Sequence, residues 1–263
     1  MQPKKAARKI LLKLRGKVYS GKLDNIYLAT VQKSGSQWVN SVFSDMDMQR
    51  ITKLKVYPQH NYEFDEFENR FPRGTVVPGL YLDHPTFDVF IDKPRNYKVV
   101  YVVRDPRDIV VSWYHSMYST HGERKGVDIV RKKLRTMSKE EGIAYCIQYL
   151  APKFSALRSW VELAQGDKKV LFIKFEDLIK SPVSKFAEIL EFCDIEYKEE
   201  NLIAILNRYT KNKLREKDLQ GRDGNESHYR KSSSSYLVEF SEAHLKAFYG
   251  VTGNLVELLE YDV

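Results

Sequence analysis

The segment Tyr97-Lys98-Val99-Val100-Tyr101-Val102-Val103 constrains this chain more than any other. Its β-branched and aromatic residues are apolar on both faces of an extended backbone, which calls for a strand covered on both sides. It runs without a spacer into Arg104-Asp105-Pro106-Arg107-Asp108. Asp105 suits an N-cap and Pro106 the first helical position, so a helix starts there. A buried strand turning directly into a helix is the unit of a parallel α/β sheet.

The same alternation recurs elsewhere. Residues 25 to 31 read as a buried strand, 32 to 37 as a tight polar loop and 38 to 43 as a helix, while 169 to 175 form a further strand followed by helix-rich sequence to about Arg208. Residues 76 to 82 are a weaker strand because Pro78 and Gly79 interrupt them. Ser138 and Glu141 make a capping box opening a long helix whose apolar stripe runs from Ile143 to Ala164, with Pro152 as a kink point. Residues 211 to 235 are polar, end in Ser232-Ser233-Ser234-Ser235 and read as a loop. Helices close the chain around Leu245 to Phe248 and Leu255 to Leu259.

The expected fold class is therefore α/β, as a single domain over residues 1–263, since 43% hydrophobic and 13% aromatic residues can fill one sizeable core. Cys146 and Cys193 lie in apolar, helix-like sequence, which favours buried thiols and a reducing, cytoplasmic setting. No aliphatic run is long enough for a membrane span or a signal-peptide core. The formal charge of +8 suits a polyanion without choosing between nucleic acid, anionic lipid and a phosphorylated nucleotide. Much of it sits in residues 1–20, where Lys4, Lys5, Arg8, Lys9, Lys13, Arg15 and Lys17 surround Ile10, Leu11, Leu14 and Val18 at helical spacing. This is a basic amphipathic helix, expected to be solvated and docked on the domain, with membrane-surface contact as the alternative.

Ligands of such sheets bind beyond the carboxyl ends of the strands. Lys33-Ser34-Gly35-Ser36-Gln37-Trp38 sits there, offering a close backbone turn at Gly35, helix N–H groups for an anion and the charge of Lys33. The lysine precedes the glycine, so this is not a Walker A loop. Arg104 ends the strongest strand, and Ser112, seven residues beyond Asp105, returns to within about 20° of its azimuth on the helix. An arginine fork and a hydroxyl suit a terminal phosphate, although Asp108 is an equally good partner for Arg104. Arg230-Lys231 is the third basic place.

In this order the segments resemble the sulfotransferases that use 3′-phosphoadenosine 5′-phosphosulfate (PAPS). Lys33 to Trp38 is similar to that family's 5′-phosphosulfate loop, K-S-G-T-T-W, and Arg104 to Ser112 to its 3′-phosphate motif, R-N-P-R/K-D-x-x-x-S. Phe175-Glu176-Asp177-Leu178 resembles its Y-E-D-L element, and Arg230-Lys231-Ser232, with Tyr236 and Phe240 downstream, its C-terminal R-K-G segment. The likeness covers roughly residues 24 to 250, with Ser232 in place of glycine and Phe175 in place of tyrosine.

The resemblance implies a P-loop-kinase-like three-layer domain, its central, mostly parallel sheet flanked by helices. It implies transfer of the sulfuryl group of PAPS to a hydroxyl or amine of a small acceptor by in-line displacement, leaving adenosine 3′,5′-bisphosphate (PAP), with no metal. Lys33, His84 and Ser112 are then the candidate catalytic residues. His84 matches the histidine of the family's K-T-H-x-P and would take the acceptor proton, with His60 and Glu66 in reserve. Lys33, Ser34, Gly35, Ser36, Gln37, Trp38, Arg104, Ser112, Phe175, Tyr209, Arg230, Lys231 and Ser232 would bind PAPS. Loop aromatics, Tyr57, Tyr62, Phe64, Phe67, Phe87, Tyr114 and Tyr118, suggest an apolar or ring-bearing acceptor rather than nucleic acid, although they suit a core equally. The rival readings are a nucleotide-dependent kinase of related fold and a non-enzymatic basic module for nucleic acid or membranes.

Overall fold

The computed structural model describes residues 3–58, 68–120, 125–220 and 235–262. The chain divides into two compact units, Met1–Val103 with Ser159–Tyr209, and Arg104–Arg158 with Thr210–Val263.

The first unit begins with α1 (Pro3–Val18) and β1 (Asn25–Thr30). It continues through α2 (Ser36–Ser44), α3 (Met46–Thr52), β2 (Lys55–Val56), β3 (Thr75–Leu80), α4 (His84–Phe90) and β4 (Tyr97–Val103). The second holds α5 (Pro106–His115), a π-helical turn (Ser116–Thr120), α6 (Lys125–Arg135) and α7 (Lys139–Tyr149). α8 (Ala151–Ala164) crosses the boundary, and β5 (Val170–Lys174), α9 (Phe175–Lys180), α10 (Pro182–Phe192) and α11 (Glu199–Leu206) complete the first unit. α12 (Lys211–Gln220), α13 (Tyr236–Glu239), α14 (Glu242–Thr252) and α15 (Leu255–Leu258) belong to the second.

The five strands of the first unit form one sheet in the order β2-β3-β1-β4-β5, every pair parallel. Alternate side chains of β1 serve opposite layers, as a period of two requires. Ile26 and Leu28 join Val39 and Phe43 of α2 and Phe186 and Ile189 of α10 in one core. On the other face Tyr27 meets Phe87 edge-on at 5.5 Å, and Trp160 lies 4.8 Å from Tyr101 and 5.0 Å from Phe87. The Trp160 Nε1–H donates to the Leu82 carbonyl at 2.8 Å, so this large indole is buried without an orphaned donor.

β3 is a full strand despite Pro78 and Gly79. β2 covers only Thr75 and Val76, so the missing N–H of Pro78 faces no partner strand, and the ladder to β1 shifts register just there. The long helix expected to kink at Pro152 instead ends and restarts: Leu150 closes α7 and Pro152 enters the first turn of α8, where a missing N–H costs nothing. The capping box of Ser138 and Glu141 is present. Residues 211–220, read as loop, form α12, which buries Leu214 but shows no apolar stripe that would announce a helix. Phe175, read as the end of a strand, opens α9. Cys146 and Cys193 are free, buried thiols, both pushed up to about 12 by burial.

In the second unit α7 packs on α5 and α14, with Trp113 stacked on Tyr149 at 5.9 Å and Phe154 edge-on to Phe248 at 5.6 Å. Among the described residues no helix is long and apolar enough to cross a membrane.

Candidate functional site

After β1 the chain builds β3 on one side and later β4 on the other, so strand order reverses around β1. The crevice beyond its carboxyl end is where such sheets take ligands, and the loop from Val31 to Gly35 occupies it. Lys33 has a φ of 75° and Gly35 a φ of 82°. For lysine a left-handed backbone costs about 1–2 kcal/mol, a strain typical of functional turns. Ser34 is fully buried, and its Oγ has no hydrogen-bond partner. Gly35 is the N-cap of α2, and no side chain caps that helix, so its first turn presents N–H groups to an anion. A Cβ at Gly35 would fall inside the ring of Phe175. The two residues are matched by contact, and only glycine fits beneath that ring. These features suit a polyphosphate-type anion: an orphaned buried hydroxyl, a glycine cradle and a lysine in one loop.

Three aromatic candidates pack on the same core: Trp38, Phe175 and Tyr209. Trp38 stands edge-on to Phe186 at 5.8 Å, and its Nε1 is buried without a partner. The Tyr209 hydroxyl donates to Asp45 Oδ2 at 3.0 Å; burial and then that carboxylate push the phenol up to about 12. Ser36 Oγ lies 3.1 Å from the Tyr81 hydroxyl. Tyr81 was not among the expected site residues, and the signal that could have found it is its place just past β3, a strand discounted for Pro78-Gly79.

His84 opens α4 behind the N-cap Asp83, whose Oδ1 accepts from Thr86 N at 2.8 Å. Its backbone N–H donates to Ser159 Oγ at 3.0 Å and its ring meets Trp160 edge-on at 5.0 Å, leaving the imidazole partly exposed. The histidine is thus held by its backbone and one ring face.

In the second unit Asp105 caps α5, accepting from Arg107 N at 2.9 Å, and also receives the Arg107 guanidinium at 2.7 Å. Arg107 further donates to the Asp262 carbonyl at 2.5 Å and the Tyr249 hydroxyl at 3.3 Å, and lies 3.9 Å over the Tyr236 ring. It is 2% exposed. Arg104 and Ser112 are both partly exposed. Asp108 Oδ1 accepts from Tyr236 N at 2.9 Å. Burial pushes the Asp108 carboxyl up, while that N–H and the charge of Arg104 pull against it.

His115 Nε2 lies 2.8 Å from both carboxylate oxygens of Glu239, with Lys139 Nζ 3.4 Å away. A pair separated by 124 residues leaves no local signal. Arg230, Lys231, Ser232, His60 and Glu66 lie outside the described residues. Of the loop aromatics, Tyr57, Phe87 and Tyr114 are core residues, Tyr118 is 41% exposed, and Tyr62, Phe64 and Phe67 lie outside the description.

The sulfotransferase domain family matches residues 90–255. The chain belongs to the sulfotransferase family. This sulfotransferase is 25% identical over 198 residues to dog sulfotransferase 1A1, covering 70% of this chain and 63% of that protein. Cytosolic sulfotransferase 13 of Arabidopsis thaliana is 26% identical over 207 residues, covering 72% and 61%. The chain thus spans less than two thirds of the length of these relatives. A mouse sulfotransferase solved in complex with PAP superposes with a TM-score of 0.64 at 18% identity, covering 96% of this chain and 90% of that one. The fold is the P-loop-kinase-like one of these enzymes, and the five-stranded parallel sheet agrees with it.

Proposed function

We propose that this sulfotransferase moves the sulfuryl group of PAPS to a hydroxyl or amine of a small acceptor and releases PAP. The loop after β1 carries the reading, with its left-handed Lys33 and Gly35, the orphaned hydroxyl of Ser34 and an uncapped helix start. PAPS supplies an activated sulfuryl group. The protein's part is positioning and neutralisation of charge. Lys33 and the N–H groups of residues 34 to 37 balance charge growing on the departing phosphate. Arg104 and Ser112, with Arg230 and Lys231, hold the 3′-phosphate, so the cations come from the protein rather than a metal. Trp38, Phe175 and Tyr209 offer ring faces to adenine. Tyr81 steadies Ser36, and His84 takes the proton of the acceptor. The location is cytoplasmic, in keeping with the cytosolic relative of Arabidopsis.

The test is transfer from radiolabelled PAPS to panels of phenols, aliphatic alcohols and amines, with thermal shift by PAP and AMP alongside. PAP should stabilise the protein well beyond AMP, because only PAP carries the 3′-phosphate. His84→Ala should lower turnover of an aliphatic alcohol by roughly 100-fold or more while sparing an acidic nitrophenol, which needs less help losing its proton. Equal stabilisation by PAP and AMP, or an aliphatic alcohol turned over normally by His84→Ala, would overturn the corresponding assignment.

A further inference from the structure

α1 meets the rest of the first unit with its charged side. Lys9 is 5% exposed and its Nζ donates to Glu68 Oε1 at 2.8 Å. Arg8 donates to the Val56 carbonyl at 3.0 Å, and Arg15 to those of Gly74 at 3.0 Å and Lys53 at 2.7 Å. Leu12 is buried beside them, and Gly16 sits against Pro72 and Arg73. The helix is docked as expected, but its apolar stripe is turned outward. Ile10, Leu11, Leu14 and Val18 are 59%, 66%, 56% and 81% exposed.

At about 100° per residue these four side chains fill an arc of about 100°, as wide as the face a surface helix normally buries. The exposed Ala7 falls within that arc, and Lys13 and Lys17, also exposed, border it. No acidic residue occurs before Asp24. The helix is already folded and fixed by its arginines, so presenting the stripe to a partner requires no further ordering.

We propose that α1 docks the protein on the surface of an anionic lipid bilayer. Ile10, Leu11, Leu14 and Val18 enter the boundary between headgroups and acyl chains, while Lys13 and Lys17 lay their methylene stems along it and reach lipid phosphates. The charge argues for lipid over a second copy of this chain. A two-fold contact through the stripe would set Lys13 and Lys17 against like charges, whereas an anionic leaflet attracts both. The inference stands apart from the proposed transferase reaction, because every cofactor candidate lies beyond Asn25.

The test is co-sedimentation of the full chain with vesicles of equimolar phosphatidylcholine and phosphatidylserine, and with phosphatidylcholine alone. The protein should sediment with the first and not the second, less so as salt rises. Leu11→Ser combined with Leu14→Ser should lower binding at least about tenfold, and Lys13→Gln or Lys17→Gln about fivefold each. All four residues are exposed, so the variants should keep the wild-type melting temperature, which separates loss of docking from loss of fold. Absence of sedimentation by the wild type would overturn the proposal, as would binding undiminished in the leucine variant. A wild-type dimer in analytical ultracentrifugation that the leucine variant converts to monomer would overturn it in favour of a second copy.

Discussion

Two arginine–aspartate pairs, one in the turn after β4 and one past the far end of α2, differ in the burial of their arginines more than in chemistry. Behind Arg104, the Arg107 and Asp105 side chains are 2% and 8% exposed and two residues apart. At the C-cap of α2, the far end of the helix that follows the loop after β1, Arg208 reaches Asp45 across 163 residues; the Asp45 side chain is also 8% exposed, but that of Arg208 is 43% exposed. A buried charge cannot lose its partner without stranding the other ion away from water. A half-exposed one falls back on solvent. The turn after β4 is therefore a rigid platform in which Arg107 is committed to the fold, whereas Arg104 is partly exposed. The loop after β1 is built differently, on a strained backbone with the Phe175 ring against Gly35.

Arg107→Ala tests the contrast most severely. It leaves the Asp105 carboxylate buried and without its guanidinium, and removes donors from Asp262 and Tyr249. Urea unfolding should show a loss of about 3–5 kcal/mol. A loss below about 1 kcal/mol would mean that water reaches Asp105 and the pair behaves like a surface one.

The difference between the platforms was only partly legible in the sequence. The strand entering Asp105-Pro106 and the capping box at Ser138 were legible, because propensity, cap and period agree there. The partners of Arg107 were not, since Tyr249 and Asp262 lie over 140 residues away. The order of Lys33, Gly35, Arg104 and Ser112 marked the candidate site, but the seat of Gly35 beneath Phe175 is a tertiary fact. The orientation of α1 misled for a related reason. Its apolar stripe is what a pattern reading docks, yet carbonyls of Val56, Gly74 and Lys53 lie where Arg8 and Arg15 can reach them. Tertiary hydrogen bonds, spanning 38 to 59 residues, set the face.

Lys33→Gly sharpens the other half of the comparison, because its two effects have opposite signs. Glycine adopts a φ of 75° freely, so the variant should gain up to about 1 kcal/mol in stability. It also removes the charge proposed to act on the departing phosphate and should lower turnover by roughly 100-fold, with a smaller effect on PAP affinity. Calorimetric unfolding and steady-state kinetics on one preparation read both. A variant less stable than wild type would show that the lysine side chain, not the turn, holds the loop.

Arg104→Ala should behave unlike Arg107→Ala although the residues are three apart. Arg104 is partly exposed, so unfolding should change by no more than about 1 kcal/mol. PAP binding should weaken by about 1.5–3 kcal/mol, the worth of a charge-assisted hydrogen-bonded contact. Titration calorimetry separates the outcomes. Unchanged PAP affinity with a large loss of stability would make Arg104 a structural partner of Asp108 instead.

The smallest effect belongs to the Arg208–Asp45 pair and is read through pH. Burial raises the pKa of the Asp45 carboxyl, but the Arg208 guanidinium, the Asp47 N–H and the Tyr209 hydroxyl outweigh it, holding the group below the usual carboxylate range. A carboxyl with a depressed folded pKa stabilises fully above its unfolded value of about 3.9. That contribution disappears as the pH falls through the lower folded value. Asp45→Asn removes the charge yet keeps a side chain able to cap α3, as Asp45 does by accepting from Asp47 N at 2.8 Å. Wild type should therefore exceed Asp45→Asn by about 1 kcal/mol near neutrality, screening by solvent at Arg208 keeping the figure small. The gap should close in strong acid, where both side chains are neutral, and shrink with added salt. Urea curves across that pH range measure it. A gap independent of pH would show that Asp45 acts only as a hydrogen-bond acceptor.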